Sequence, residues 1–189
     1  AAAGSSPSPC RVLLRRIGRV ERDQAAVIRQ RRPCAALNLE LLPGLLRRAQ
    51  RVIAVDSSTT MLDMARKALG KETMRCDFRL GDLGHLPVAD GEVDLVMACM
   101  VLHHLSRPAE AIREAYRALA PNGRLVVVDL YRHEDETLRE QLADLWLGFL
   151  PSEVESWLSE HRFTTESAEV VGADNSLQLI AFQAIKKDE

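Results

Sequence analysis

The sequence predicts an α/β fold: a doubly wound, mostly parallel sheet closed by an antiparallel C-terminal edge strand. Three observations carry that prediction. From Arg51 onward short apolar runs alternate with segments of helical period. Each run stops where a polar or acidic residue appears. The run RLVVVDL at 124–130 is so uniformly apolar that both of its faces must be buried, as in a parallel sheet covered by helices on two sides.

The elements follow in order. RVIAVD is a strand ending in an acid, and SSTTMLDMARKALG is a helix with Ser57 or Ser58 as N-cap, Met61, Leu62, Ala65, Ala68 and Leu69 on one face, and Gly70 as its stop. MRCDFRLGD is the next strand, ending at Gly81-Asp82, and EVDLVMAC follows after a loop. The spacing predicts a helix over 108–119, a turn at Pro121-Asn122-Gly123 and then the buried strand. A further helix is expected over 136–149, and Ser152-Glu153-Val154-Glu155 reads as a capping-box start for another that carries Trp157 and Leu158. Finally, SAEVVGADNSLQLIAFQAI reads as two strands joined at 172–176, a connection short enough to make them antiparallel.

A chain of 189 residues with 47% hydrophobic content supplies one core. The expected division is a disordered or basic helical arm over 1–30 and one globular domain over 31–189. The opening AAAGSSPSPC is of low complexity and has no methionine, which suggests a truncated or processed start. Apolar runs reach only about eight residues, and no leader is visible, so a soluble cytoplasmic protein that does not enter the membrane is expected. Four cysteines lack metal or disulfide spacing and are read as incidental thiols, and no metal ligand set is identified. Residues 1–50 hold ten arginines against three acids, a surplus of +7, while the remainder holds 15 basic against 24 acidic residues, or −9. Without interleaved aromatics the basic half reads as a solvated helix face rather than a nucleic-acid surface.

In an open parallel sheet ligands lie beyond the carboxyl ends of the strands, which directs attention to Asp56, Asp82, Cys99 and Asp129. Two readings fit Asp56. It can accept both ribose hydroxyls of an adenosine cofactor, or it can complement the dipole of the helix that follows.

The combination of RVIAVDSSTTMLDMARKAL, GDLGHLPVADGEVDLVMACMVLHHL and EAYRALAPNGRLVVVDL resembles the class I S-adenosylmethionine-dependent methyltransferases, specifically their small-molecule type 11 group. The likeness spans about residues 40–187 and implies a Rossmann-like sheet. LREQLADLWLGF and SEVESWLSEHRF resemble the methyltransferase half of proteins that fuse this domain to an arsenical-repressor-type regulator. The resemblance implies S-adenosyl-L-methionine as cofactor, with Asp56 on its ribose and Ser57 beside it. Asp82 and Leu83 would hold the adenine, and Cys99 would line the methionine portion. His103 and His104 would stand at the mouth. There His104 either serves as a general base near neutral pH, or one ring packs or caps the next helix.

One departure is clear. The family's glycine loop falls on Pro33, Cys34, Ala35, Ala36, Leu37, Asn38 and Leu39, and no glycine occurs between Gly18 and Gly44. Glycine allows the close backbone approach and positive φ that such a loop needs, so the residues present predict weak cofactor binding, with a dissociation constant on the order of 1 mM or worse. The preceding QAAVIRQRR, crowded by arginines, reads as a basic helix rather than a central strand. Two functions are carried forward: methyl transfer to a small-molecule acceptor, and a catalytically silent homologue acting as a binding or regulatory module. Trp146 and Trp157 either cover an apolar substrate or belong to the core.

Overall fold

Gln24–Arg29 is an inner strand (β1) of the sheet, which corrects the basic-helix reading of these residues. The computed structural model describes residues 24–29, 41–137, 139, 144–172 and 177–187. Its other strands are Arg51–Asp56 (β2), Cys76–Leu80 (β3), Val93–Cys99 (β4), Leu119–Leu130 (β5), Phe163–Val171 (β6) and Leu179–Lys186 (β7). Its helices are Leu41–Leu46 (α1), Thr59–Leu69 (α2), Pro108–Ala118 (α3) and Pro151–Glu160 (α4). One sheet runs β3-β2-β1-β4-β5-β7-β6. Ala25 to Ile28 pair in parallel with β2 on one side and β4 on the other. That double ladder satisfies both rows of peptide groups, an outcome invisible to the local sequence.

The sheet is doubly wound, as expected. Along β4, Val93, Val96 and Ala98 join one apolar cluster, while Leu95, Met97 and Cys99 join the other. Along β5, Leu125 and Val127 join the first, and Val126, Val128 and Leu130 the second. The first cluster includes residues of α3 and α4, and the second includes residues of α1 and α2. Side chains that alternate between two dry faces are the reason the strands read as continuous apolar runs.

α2 buries Leu62, Ala65 and Leu69 and stops at Gly70, whose φ is +53°. The side chain of Ser58, the N-cap residue, makes no capping hydrogen bond, and Asp56 Oδ1 accepts the Ser58 backbone N–H at 2.8 Å. α3 starts on Pro108, which needs no partner for a missing N–H, and buries Ala111, Ile112, Ala115 and Ala118. The Pro-Asn-Gly turn lies within β5 as an irregularity: Val93 pairs with Leu119 and Leu95 with Arg124, with Asn122 at φ +60° between them.

Two C-terminal expectations change. The helix expected over 136–149 does not extend through Asp144–Leu150, which is irregular. There Phe149 forms a parallel bridge with Tyr131, and its N–H donates to Leu130 O. Gly148, at φ +75°, lies so close to β5 that a Cβ on it would meet Tyr131 O at 2.5 Å. α4 begins at Pro151 rather than after Ser152, with Glu153 Oε2 accepting the Leu150 N–H at 2.8 Å. The expected antiparallel pair is present. β7 runs against β5, and β6 lies outside it at the sheet edge. Among the described residues no helix is long and apolar enough to cross a membrane.

Gly148 combines positive φ with backbone contact on its missing Cβ, so Gly148→Ala is expected to destabilise the domain by roughly 2–4 kcal/mol. Urea denaturation followed by circular dichroism measures this, and a change within about 0.5 kcal/mol would show that the segment is not docked as described.

Candidate functional site

The order of strands reverses at β1, and it is there, beyond the carboxyl ends, that a crevice forms in such sheets. Register brings the relevant ends level. Arg29 pairs with Asp56, Asp56 with Leu80, Ile28 with Ala98, and Cys99 with Val128. Asp56 is only 3% exposed, its Oδ1 holds the Ser58 amide, and its carbonyl accepts the Gly81 N–H at 3.1 Å. Ser57 follows, half-buried, at the entrance to α2. The second acidic loop is thus tied directly to the first.

Asp82 is exposed and organises that loop, its Oδ1 accepting the N–H groups of Gly84 at 2.7 Å and His85 at 3.1 Å. Leu83 faces inward as part of the core. Arg117 of α3 anchors the loop's far side by donating to Leu86 O, Val88 O and Asp90, while the buried Glu114 accepts the Leu86 N–H. The glycine-poor loop at 33–39 lies outside the described residues, as do Cys10 and Cys34. Cys76 and Cys99 form no disulfide among the described residues, and burial pushes the Cys76 thiol up to about 12.

Beyond the buried Cys99 the backbone turns sharply through Met100, which has φ +53°. An L residue adopts that conformation only when its surroundings enforce it. The enforcing group is Asp129, with no exposure at all. Its Oδ2 accepts the N–H groups of Val101 and Leu102, and its Oδ1 accepts the Leu130 N–H and contacts His103 Nδ1 at 2.5 Å. His103 is therefore packed, whereas His104 retains a partly accessible side chain. Their rings lie 4.1 Å apart.

A second buried carboxylate completes the cluster. Asp144 Oδ1 lies 3.3 Å from His104 Nδ1 and 3.7 Å from His103 Nε2. The segment that carries it is pinned in place, since His103 O accepts the Leu145 and Trp146 N–H groups and the Trp146 indole N–H donates to Leu105 O. Trp146 and Trp157 pack on the core around Phe149. Burial opposes the charged form of His103, but the charge of Asp129, the hydrogen bond to it and the charge of Asp144 outweigh burial and raise its pKa above the ordinary value. Sequence reasoning flagged Asp129 as a strand-end acid without a role and placed Asp144 inside a helix. The one available signal for Asp144 was an acid among apolar residues.

Residues 34–127 match the methyltransferase domain family. The arsenite methyltransferase of Halobacterium salinarum is 36% identical over 80 residues, covering 42% of this chain and 20% of that protein. The ubiquinone/menaquinone biosynthesis C-methyltransferase UbiE of a Ruegeria species is 36% identical over 94 residues, or 49% of this chain and 37% of that protein. This chain therefore spans well under half the length of the curated relatives it matches. The solved S-adenosylmethionine-dependent methyltransferase of Mesorhizobium loti superimposes with a TM-score of 0.76 at 16% identity, covering 92% of this chain and 96% of that one, a likeness of fold.

The raised pKa of His103 has a definite sign. Its charged form stabilises the fold fully below the unfolded value, and that contribution is lost as pH rises through the folded value. The stability advantage of the wild type over His103→Gln is expected to be larger at about pH 5.5 than at about pH 9 in paired urea denaturations. An advantage that grows with pH would reverse the assignment.

Proposed function

The chain belongs, through its domain at 34–127 and the sheet around it, to the class I S-adenosylmethionine-dependent methyltransferases, and from that premise we propose that it methylates a small-molecule acceptor at the mouth formed by His104 and the 144–150 segment. The observation that carries this reading is the row of strand ends, where Asp56, the Asp82 loop and Cys99 stand around the point of strand reversal. S-adenosyl-L-methionine is the cofactor, and it supplies a methyl group already activated on a sulfonium.

The donor set fits it. We assign the ribose hydroxyls to the Asp56 carboxylate, with Ser57 beside it, and the adenine amine to Asp82, whose loop rests on the buried Leu83. Cys99 supplies an apolar wall for the methionine portion. On the acceptor side, His104 takes the acceptor's proton, and Asp144, 3.3 Å from its Nδ1, stabilises the imidazolium. Alignment in a site screened from water accounts for the rest of the rate, because an activated methyl group asks little of side chains. Relatives named for arsenite and for ubiquinone/menaquinone biosynthesis support a small acceptor. The glycine-free stretch between Gly18 and Gly44 favours the second reading, a silent homologue that acts by binding.

Calorimetric titration with S-adenosylmethionine and S-adenosylhomocysteine separates the two. Turnover of a methyl acceptor with measurable cofactor affinity supports the enzyme, and undetectable affinity supports the silent homologue. Asp56→Ala is expected to weaken cofactor binding roughly ten- to a hundredfold, since two hydroxyls lose their acceptor. An unchanged dissociation constant in a folded variant removes Asp56 from the site. His104→Ala is expected to flatten the acidic limb of the pH-rate profile and leave cofactor affinity within about twofold. A preserved limb with lowered thermal stability assigns His104 to packing instead.

A further inference from the structure

Beyond methyl transfer, the cluster at the exit of β4 has the composition and geometry of a metal centre. We propose that His103 Nε2, His104 Nδ1 and the Asp144 carboxylate bind one divalent transition-metal ion of the zinc class, with a fourth position open on the His104 side. All three ligand atoms lie within 4.8 Å of one another. The separations of 3.3 Å and 3.7 Å from Asp144 Oδ1 are close to the roughly 3.3–3.5 Å edges of a tetrahedron with metal–nitrogen and metal–oxygen distances of about 2.0–2.2 Å.

Three further observations point to a cation rather than to simple packing. First, the Asp144 side chain has no exposure, and neither of its oxygens accepts a hydrogen bond from any described residue. A buried carboxylate in that condition requires a positive charge. Second, Asp129 contacts the other nitrogen of the His103 ring, Nδ1, and its acceptor oxygen places the ring proton there. In the neutral ring the lone pair then sits on Nε2, facing an oxygen of Asp144 3.7 Å away, so that a metal ion can take the place of a ring proton between the two acceptors. A carboxylate that orients a histidine from behind is the usual support of a metal-binding imidazole. Third, Asp129 and Asp144 bring two negative charges into the interior, which a dication neutralises.

The ligands are also prearranged. The backbone bonds from Leu145 and Trp146 to His103 O, with the indole bond to Leu105 O, hold the two ligand-bearing segments together. Two imidazoles with one carboxylate favour zinc, cobalt or nickel over magnesium or calcium, which prefer oxygen alone. His104 links this centre to the methyl-transfer reading, because a metal on Nδ1 leaves the ring proton on Nε2, the nitrogen that would take the acceptor's proton. The two roles are alternatives in time, and the metal state does not depend on cofactor binding.

The test uses the untagged full chain, stripped with chelator and titrated with Co2+ at about pH 7.5 in the absence of S-adenosylmethionine. The expected result is a tetrahedral visible spectrum with no thiolate charge-transfer band, saturating at one equivalent with a dissociation constant on the order of 1 µM or tighter. Zn2+ should displace Co2+ and raise the melting temperature. Asp144→Asn and His104→Gln should each weaken binding at least tenfold, while a variant with all four cysteines changed to serine binds as the wild type does. His104→Gln decides the matter if Asp144→Asn does not fold, since His104 is only partly enclosed. The proposal is overturned by the absence of any cobalt spectrum, by affinity unchanged in both ligand variants, or by a signal lost in the cysteine-free chain. Cofactor titration of the same samples is read separately, so failure of methyl transfer leaves the metal result intact.

Discussion

The carboxylate of Asp129 is the constraint on which the functional end of the sheet depends. It is fully buried at the end of β5 and accepts the amides of Val101 and Leu102, which the positive φ of Met100 turns toward it. Without that acceptor two N–H groups would lie unpaired in a dry interior. The path of the chain leaving β4 is thus set by a residue of the neighbouring strand. Everything downstream inherits that path, since His103 is oriented by the same carboxylate, its carbonyl receives the 145–146 amides, and Trp146 closes on Leu105.

Most of the fold was legible because burial on two faces leaves a plain local mark. The apolar runs of β2, β4 and β5 and the helical faces of α2 and α3 read directly as strands and helices, and their ends fell within about two residues of expectation except at the start of β5, which begins at Leu119 rather than Arg124. β1 was missed for a physical reason. Its apolar core is four residues long and is followed by arginines, and it is a strand because β2 and β4 offer ladders on both sides. Propensity yields to such pairing. The segment 144–150 failed in the opposite sense. Its apolar residues match a helical period, yet its residues dock on the ends of β4 and β5, and Gly148 supplies a backbone conformation that a helix would not use.

The site was legible where chemistry coincides with a strand end and opaque where it depends on tertiary approach. Asp56 and Cys99 stand where strands stop, so position alone singled them out. The histidine pair was visible too, but not its division of labour, because that depends on Asp129 lying behind one ring and Asp144 between both. Those acids follow the histidines by 26 and 41 positions and share no motif with them. Only the packed sheet makes them neighbours.

The placement of β7 between β5 and β6 has a consequence for how the polypeptide matures as it leaves the ribosome. β6 is made before β7, yet among the described residues it pairs in the sheet with β7 alone, and β7 is also what pairs with the outer edge of β5. While residues 163–178 emerge, two strand edges stand open together, one of them the apolar stretch Val126 to Val128. Open apolar edges recruit foreign strands. β7 enters between two waiting strands and closes both edges in a single act, so the nascent chain is exposed to misassembly at these edges until β7 has been made and is protected there thereafter.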